Sequence, residues 1–411
     1  MMTQRKERGA VATIVVTLLS MGVVLGLLAI SVDVGRLMVE RRQLQNAADA
    51  AANSLALSCA RGVCVAGGEG PAGTLQTLTN NNARDGEHTI ALQCGRNAGS
   101  LPTCPASSYA LEDCPPLPPA YASATTLPYV EVHTTTRSGG AGAMRNFFSG
   151  ANGNEQSTTV HACARAAWGQ PGSGTATTPI TISVCEWQTM TAGGTSWVVD
   201  PPSGAWPGYG GAGQPPMPGG FTDPNTAGRE QMFTLHDPSK PPCSYNGKDT
   251  AGGFGYLDPT GSCEATVSTV NGVDMWSNID TGSSATGDCQ TKLANLWASG
   301  PVVDIPVFDC IVKSTTGTPT GGIAGKDCTG AGGSGAISYY HIVGWAKFYL
   351  SGYKIGGGPS TERAARARGI VPCTGAQRCL SGWFVKGALS SAPTIIPGGP
   401  NLGSYAVVPL G

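Results

Sequence analysis

Residues 10–57 read AVATIVVTLLSMGVVLGLLAISVDVGRLMVERRQLQNAADAAANSLAL. The first 23 of these, Ala10 to Val32, carry no charge. As a helix rising about 1.5 Å per residue they span about 34 Å, which matches a bilayer core of about 30 Å. A lone segment satisfies its own backbone in hydrocarbon only as a helix, so the spacing predicts a transmembrane helix. Asp33 ends the run, yet no Gly-Pro punctuation follows. Residues 36–57 are rich in Ala, Leu, Arg, Gln and Glu, all strong helix formers. One helix is therefore expected to cross a membrane and continue beyond it for roughly as far again.

The continuation has two faces. Leu37, Leu44, Ala48, Ala51 and Leu55 recur at three- and four-residue spacing, interrupted by Arg41. Arg42, Gln45, Asn46, Asp49 and Asn53 fall opposite. Small alanines on the apolar stripe would let another backbone approach. Within the span, Gly22 and Gly26 form a Gly-x-x-x-Gly pair able to seat a second helix. Asp33 and Arg36 lie one turn apart at the membrane surface, spaced for an ion pair or for contact with a partner.

The basic stub Arg5-Lys6-Glu7-Arg8-Gly9, the apolar span, Asp33-Val34-Gly35-Arg36-Leu37 and RRQLQNAADAAA at 41–52 together resemble the amino terminus of TadE/TadG-like Flp (tight-adherence) pilus-assembly proteins. Looser likenesses follow in order at 144–150, 160–169 and 179–187. Those at 305–309, 340–353 and 382–385 resemble actinobacterial TadG-related proteins. The resemblance implies a structural assembly component whose partners are other Tad/Flp or pilin-like membrane proteins. It does not extend to prepilin processing. Type IV pilins are cut after a Gly that follows basic residues and carry Glu five positions on, whereas Ile14 stands there after Gly9.

Composition sets the rest of the chain apart. Of 411 residues only 12% are charged, with 60 Gly and 30 Pro and a net charge of −1. That favours β-structure with many loops and offers no footprint for nucleic acid. All fourteen cysteines follow the span, which fits disulfides in an oxidising, exported compartment. No Cys-x-x-Cys occurs and the five histidines are scattered, so no metal site is assigned. Cys59 with Cys64, and Cys373 with Cys379, are the candidate local bridges; the remaining connectivity stays open. Lys and Arg flank the span equally, so the cysteines carry the orientation: stub inside, body outside the bacterial cytoplasmic membrane.

The predicted class is α+β, a long N-terminal transmembrane helix running into a disulfide-rich, mainly antiparallel β exported region. Its parts are a cytoplasmic stub (1–9), the span (10–32), the amphipathic extension (33–58), a first β-rich region (59–200), a linker (201–228) and a second β-rich region (229–411). Residues 201–220 hold seven Gly and six Pro, which is linker chemistry. A helix is expected at 74–84 and strands near 88–94, 127–136, 158–168, 302–312, 337–350, 379–389 and 404–408. In 337–350 both alternating faces are apolar, as in a strand covered on two sides.

Catalytic patterns do not assemble. Gly208/Gly210/Gly213 and Gly330/Gly332/Gly335 match Gly-x-Gly-x-x-Gly but lack the following helix a dinucleotide loop needs. Gly325-Lys326 lacks the rest of a P-loop. Neither Asp200 nor Asp280 opens an Asp-x-Ser-x-Ser metal motif of the kind some TadG-like proteins carry. His133, His161 and His341 fall on predicted strands without an evident nucleophile and carboxylate, and Glu112-Asp113 reads as a solvated turn. Trp197 and Trp206, beside the linker, are candidate exposed aromatics. No cofactor or enzymatic activity is expected. The residues by themselves point to a membrane-tethered extracytoplasmic protein; the resemblance implies an assembly component in contact with lipid, with envelope or pilus proteins, or with its own copies. A tethered adhesin or glycan-binding module and an anchored envelope hydrolase are the alternatives.

Overall fold

A computed structural model describes residues 4–69, 73–83, 88–105, 114–122, 124–136, 144–145, 157–195, 197, 231–235, 243–245, 247–250, 252–257, 263–268, 276–278, 287–299, 302–320, 322–328, 337–355, 377–389, 394–397 and 399–411. It has a long amino-terminal helix and a mostly antiparallel β body closed by disulfides. Two compact units form, one of Met1–Ala167 with Pro409–Gly411 and one of Trp168–Val408. Composition places the break at 201–228, a stretch outside the described residues.

The first unit begins with α1 (Gln4–Arg61), continuous through the apolar run and its extension. Its end is a Schellman turn. Val63 N–H reaches the Ser58 carbonyl and Gly62 N–H the Cys59 carbonyl, both at 3.0 Å. Gly62 takes φ +99°, a left-handed position that favours glycine. The Cys59–Cys64 disulfide then closes the turn. After α2 (Thr74–Asn82) come β1 (His88–Arg96), the single turn α3 (Pro119–Ala122), β2 (Tyr129–Thr136), the short pair β3 (Met144–Arg145) and β4 (Ser157–Thr158), and β5 (His161–Pro171). β2 lies between β1 and β5, antiparallel to both, with Arg96 opposite Tyr129 and Tyr129 opposite Ala167. Cys94–Cys104 and Cys114–Cys163 tie loops back onto this sheet.

In the second unit β6 (Ser173–Ala176) and β7 (Ile180–Ser183) lead into α4 (Val184–Thr191). Ser183 caps that helix by accepting from Cys185 N–H at 3.1 Å. The short strands β8 (Gln231–Thr234), β9 (Cys243–Tyr245), β10 (Lys248–Thr250), β11 (Phe254–Tyr256), β12 (Ala265–Ser268) and β13 (Trp276–Asn278) precede α5 (Gly287–Ser299). The long strands β14 (Val302–Ser314) and β15 (Ile337–Lys354) follow, then β16 (Cys379–Val385), β17 (Gly387–Ala388), β18 (Ile395–Ile396) and β19 (Ser404–Pro409). The main sheet runs β11-β7-β14-β15-β16-β8, with β13 also paired to β15. Among the described residues, β14 and β7 are the pair that runs parallel within it. Apolar residues on both faces of β15 place it centrally, where Trp345, Phe348 and Tyr349 are fully buried. Tyr349 stacks on Trp383 at 4.5 Å between ring centres, and Phe348 meets Phe384 edge-on at 5.2 Å.

Candidate functional site: the amino-terminal helix and its seat

From Val11 to Val32 the side chains of α1 are almost all exposed. Among the described residues α1 is the helix long and apolar enough to cross a membrane. Gly22 and Gly26 face open space, with nothing within 4 Å of where a Cβ would stand. Asp33, Arg36 and Leu37 are half-buried. Above them the apolar stripe is consumed by the chain itself. Leu44, Ala48, Ala51 and Leu55 are essentially inaccessible, as are the neighbouring Ala47, Ala52 and Ala56.

The reason is the backbone approach that alanine permits, used here within one chain. α1 packs on β2 and α2. Thr134 Oγ1 donates to the Leu44 carbonyl at 3.0 Å, and Gln45 Nε2 donates to the Cys163 carbonyl at 3.0 Å. The open side of this part of the helix carries Asn46 and Asn53, as the periodicity requires.

Behind the seat lies a polar knot that the sequence did not announce. Arg165 on β5 donates through Nε at 2.9 Å and Nη2 at 2.6 Å to Glu131 Oε2 on β2. His133 Nε2 donates to the other oxygen, Oε1, at 2.8 Å; an ionised carboxylate only accepts, which fixes the proton on that nitrogen. Arg165 also donates to the Pro115 carbonyl at 2.8 Å and lies 5.2 Å from the Tyr129 ring centre. Burial pushes the Glu131 carboxyl up, but the His133 hydrogen bond and the Arg165 guanidinium outweigh it and hold Glu131 below its ordinary value.

Cys114, Glu131, His133 and Cys163 bring their donor atoms within 4.8 Å of one another. Four such donors could suit zinc, but Cys114 and Cys163 are joined to each other and Glu131 is held by Arg165. The cluster is a covalent and ionic tie between β2, β5 and the preceding loop. In the sequence, Glu131 and His133 alternate with Val130 and Val132, which marks a strand but not the Arg165 partner.

A second pairing sits in the other unit. β14 bulges between Phe308 and Cys310. Asp309, the extra residue, is buried and lies 2.6 Å from His341 Nδ1 on β15. Trp276 packs against the imidazole at 4.9 Å between ring centres. Among the described residues no hydroxyl or thiol is hydrogen-bonded to His341.

The other sequence-marked residues fall variously. Lys326 closes a turn by donating to the Thr320 carbonyl at 2.6 Å. Trp197 is buried rather than exposed, packed 6.1 Å from Trp187 because the turn at Gly194 accepts its indole N–H. Cys379 is disulfide-bonded. Cys373, Trp206, Glu112, Asp113, Asp200, Asp280 and both Gly-x-Gly-x-x-Gly loops lie outside the described residues.

Residues 9–53 match the model of the TadE/G-like Flp pilus-assembly family. The chain thus carries a TadE/G-like domain, and that domain coincides with the exposed half of α1 and most of its seated half. No curated protein and no solved structure gave a significant match.

Proposed function

We propose that the protein is a single-pass membrane component of a Tad/Flp pilus-assembly system, acting through helix-to-helix and envelope-protein contacts rather than catalysis. The observation that carries this is the overlap of the family match with a helix whose first half exposes an unbroken apolar surface. The β body then lies outside the cytoplasmic membrane, which the disulfides favour because they persist in oxidising compartments. With Leu44, Ala48, Ala51 and Leu55 occupied within the chain, partner contact falls to the open Gly22–Gly26 face and to Asp33 and Arg36 at its edge.

A photo-crosslinking amino acid at Gly22 or Gly26 in pilus-making cells tests this. An adduct with another Tad/Flp membrane protein is expected, together with loss of surface pili on deletion of the chain. Lipid adducts alone at both positions, with pili intact in the deletion strain, would overturn the assignment.

A further inference from the structure

The apolar surface of α1 does not stop where the uncharged run stops. Beyond Asp33, Val34 is 41% exposed, Met38 62% and Val39 54%. They lie between the uncharged run and the seat, and Gly35 among them meets nothing within 4 Å. Arg41 and Arg42 follow immediately, both exposed.

Lengths decide what covers this patch. From Val11 to Val39 the helix rises about 42 Å, against about 40–45 Å for a bilayer with its headgroups included. From Val32 to Glu40, the first buried side chain after the span, it rises about 12 Å. A headgroup layer is about 5–7 Å deep, so the folded body begins within one side chain's length of it. Helical side chains lean toward the amino terminus, which here points Arg41 and Arg42 back toward the membrane. Long basic side chains do this at bilayer edges, keeping the stem apolar and the head at the phosphates.

We infer that the body rests on the bilayer surface, with Val34 in the headgroup layer, Met38 and Val39 at its outer edge and Arg41 and Arg42 reaching back to the phosphates of anionic phospholipid. This rests on the reading of α1 as a membrane anchor. The partner is lipid rather than a second chain because the patch is continuous with the span and ends in two cations that complement phosphate. A rod that held the body well clear of the membrane would instead leave three large apolar side chains in water.

The test uses full-length protein in nanodiscs of phosphatidylcholine and phosphatidylglycerol, with a benzophenone side chain at Val24, Val34, Met38 or Asn46. Lipid adducts are expected from the first three and none from Asn46. Adducts at Val24 but none at Val34 or Met38 would overturn the inference and leave the anchor standing. Adducts between two protein chains at Val34 or Met38 would overturn it in favour of self-association. Their absence even at Val24 would remove the anchor itself. In the Arg41→Gln/Arg42→Gln variant, the preference of retained lipid for phosphatidylglycerol, worth up to about thirtyfold for two surface arginines, should disappear. An unchanged preference would overturn the phosphate contact.

Discussion

Arg165 and Glu131 are each under one-tenth exposed as side chains, so removing either partner strands a charge. Arg165→Ala should cost about 3–5 kcal/mol in urea unfolding with disulfides intact. The pH dependence follows from Glu131. Its folded value lies below the ordinary 4.5, so its contribution is complete above about pH 4.5 and lost as pH falls through the folded value. Glu131→Gln should therefore flatten the acid limb of a stability–pH profile. Asp304 runs the other way. Burial pushes its carboxyl up, and Lys347, 2.7 Å away across the β14–β15 ladder, offsets only part of that. As pH rises from the ordinary 3.8 through the raised folded value, Asp304 withdraws stability. Replacing both partners, Asp304→Asn with Lys347→Met, should be neutral or stabilising, whereas Lys347→Met alone should lose several kcal/mol, roughly 3–5. None of these pairs was legible in the sequence. Glu131 and Arg165 are separated by 34 positions and Asp304 and Lys347 by 43, and only strand register joins them.

At the scale of elements, α1 was readable because its signals are local: one charge-free run, then three- and four-residue spacing. Periodicity could say which face is apolar, but not that β2 would fill it. Ala48→Leu should overpack that contact and cost about 1–3 kcal/mol, while Asn53→Leu on the open side should be near neutral by thermal unfolding. β15 was likewise readable from its two apolar faces. The placement of β7 was not, since its four residues gain their position from β14 and β11, more than seventy residues downstream at the nearer. In β16, a Cβ at Gly382 would run into the Tyr349 carbonyl, and φ is +155° there. Gly382→Ala should lower stability by about 1–3 kcal/mol, with Gly322→Ala, which meets nothing, as the control.

For the molecule as a whole, the disulfides are the main covalent constraint, and their leverage differs with the loop each closes. Cys114–Cys163 spans 49 residues and Cys59–Cys64 only 5. Loop entropy assigns about 4 and about 2 kcal/mol to them. Cys114→Ser/Cys163→Ser should thus shift the unfolding midpoint about twice as far as the Cys59, Cys64 double variant. An even cysteine count after the span was enough to anticipate a disulfide-stapled body. It could not say that Cys94 pairs with Cys104 while Cys114 crosses to Cys163, because evenly repeated cysteines leave every neighbour equally near in sequence.

The seat of α1 also sets an order of events during biosynthesis. The Leu44 carbonyl waits for a hydroxyl 90 residues later in the chain. At about 5–20 residues per second the alanine stripe is synthesised roughly 5–20 s before its cover. Throughout that interval the nascent chain carries an uncovered adhesive ridge, so prompt arrival of β2 decides whether each copy folds on itself.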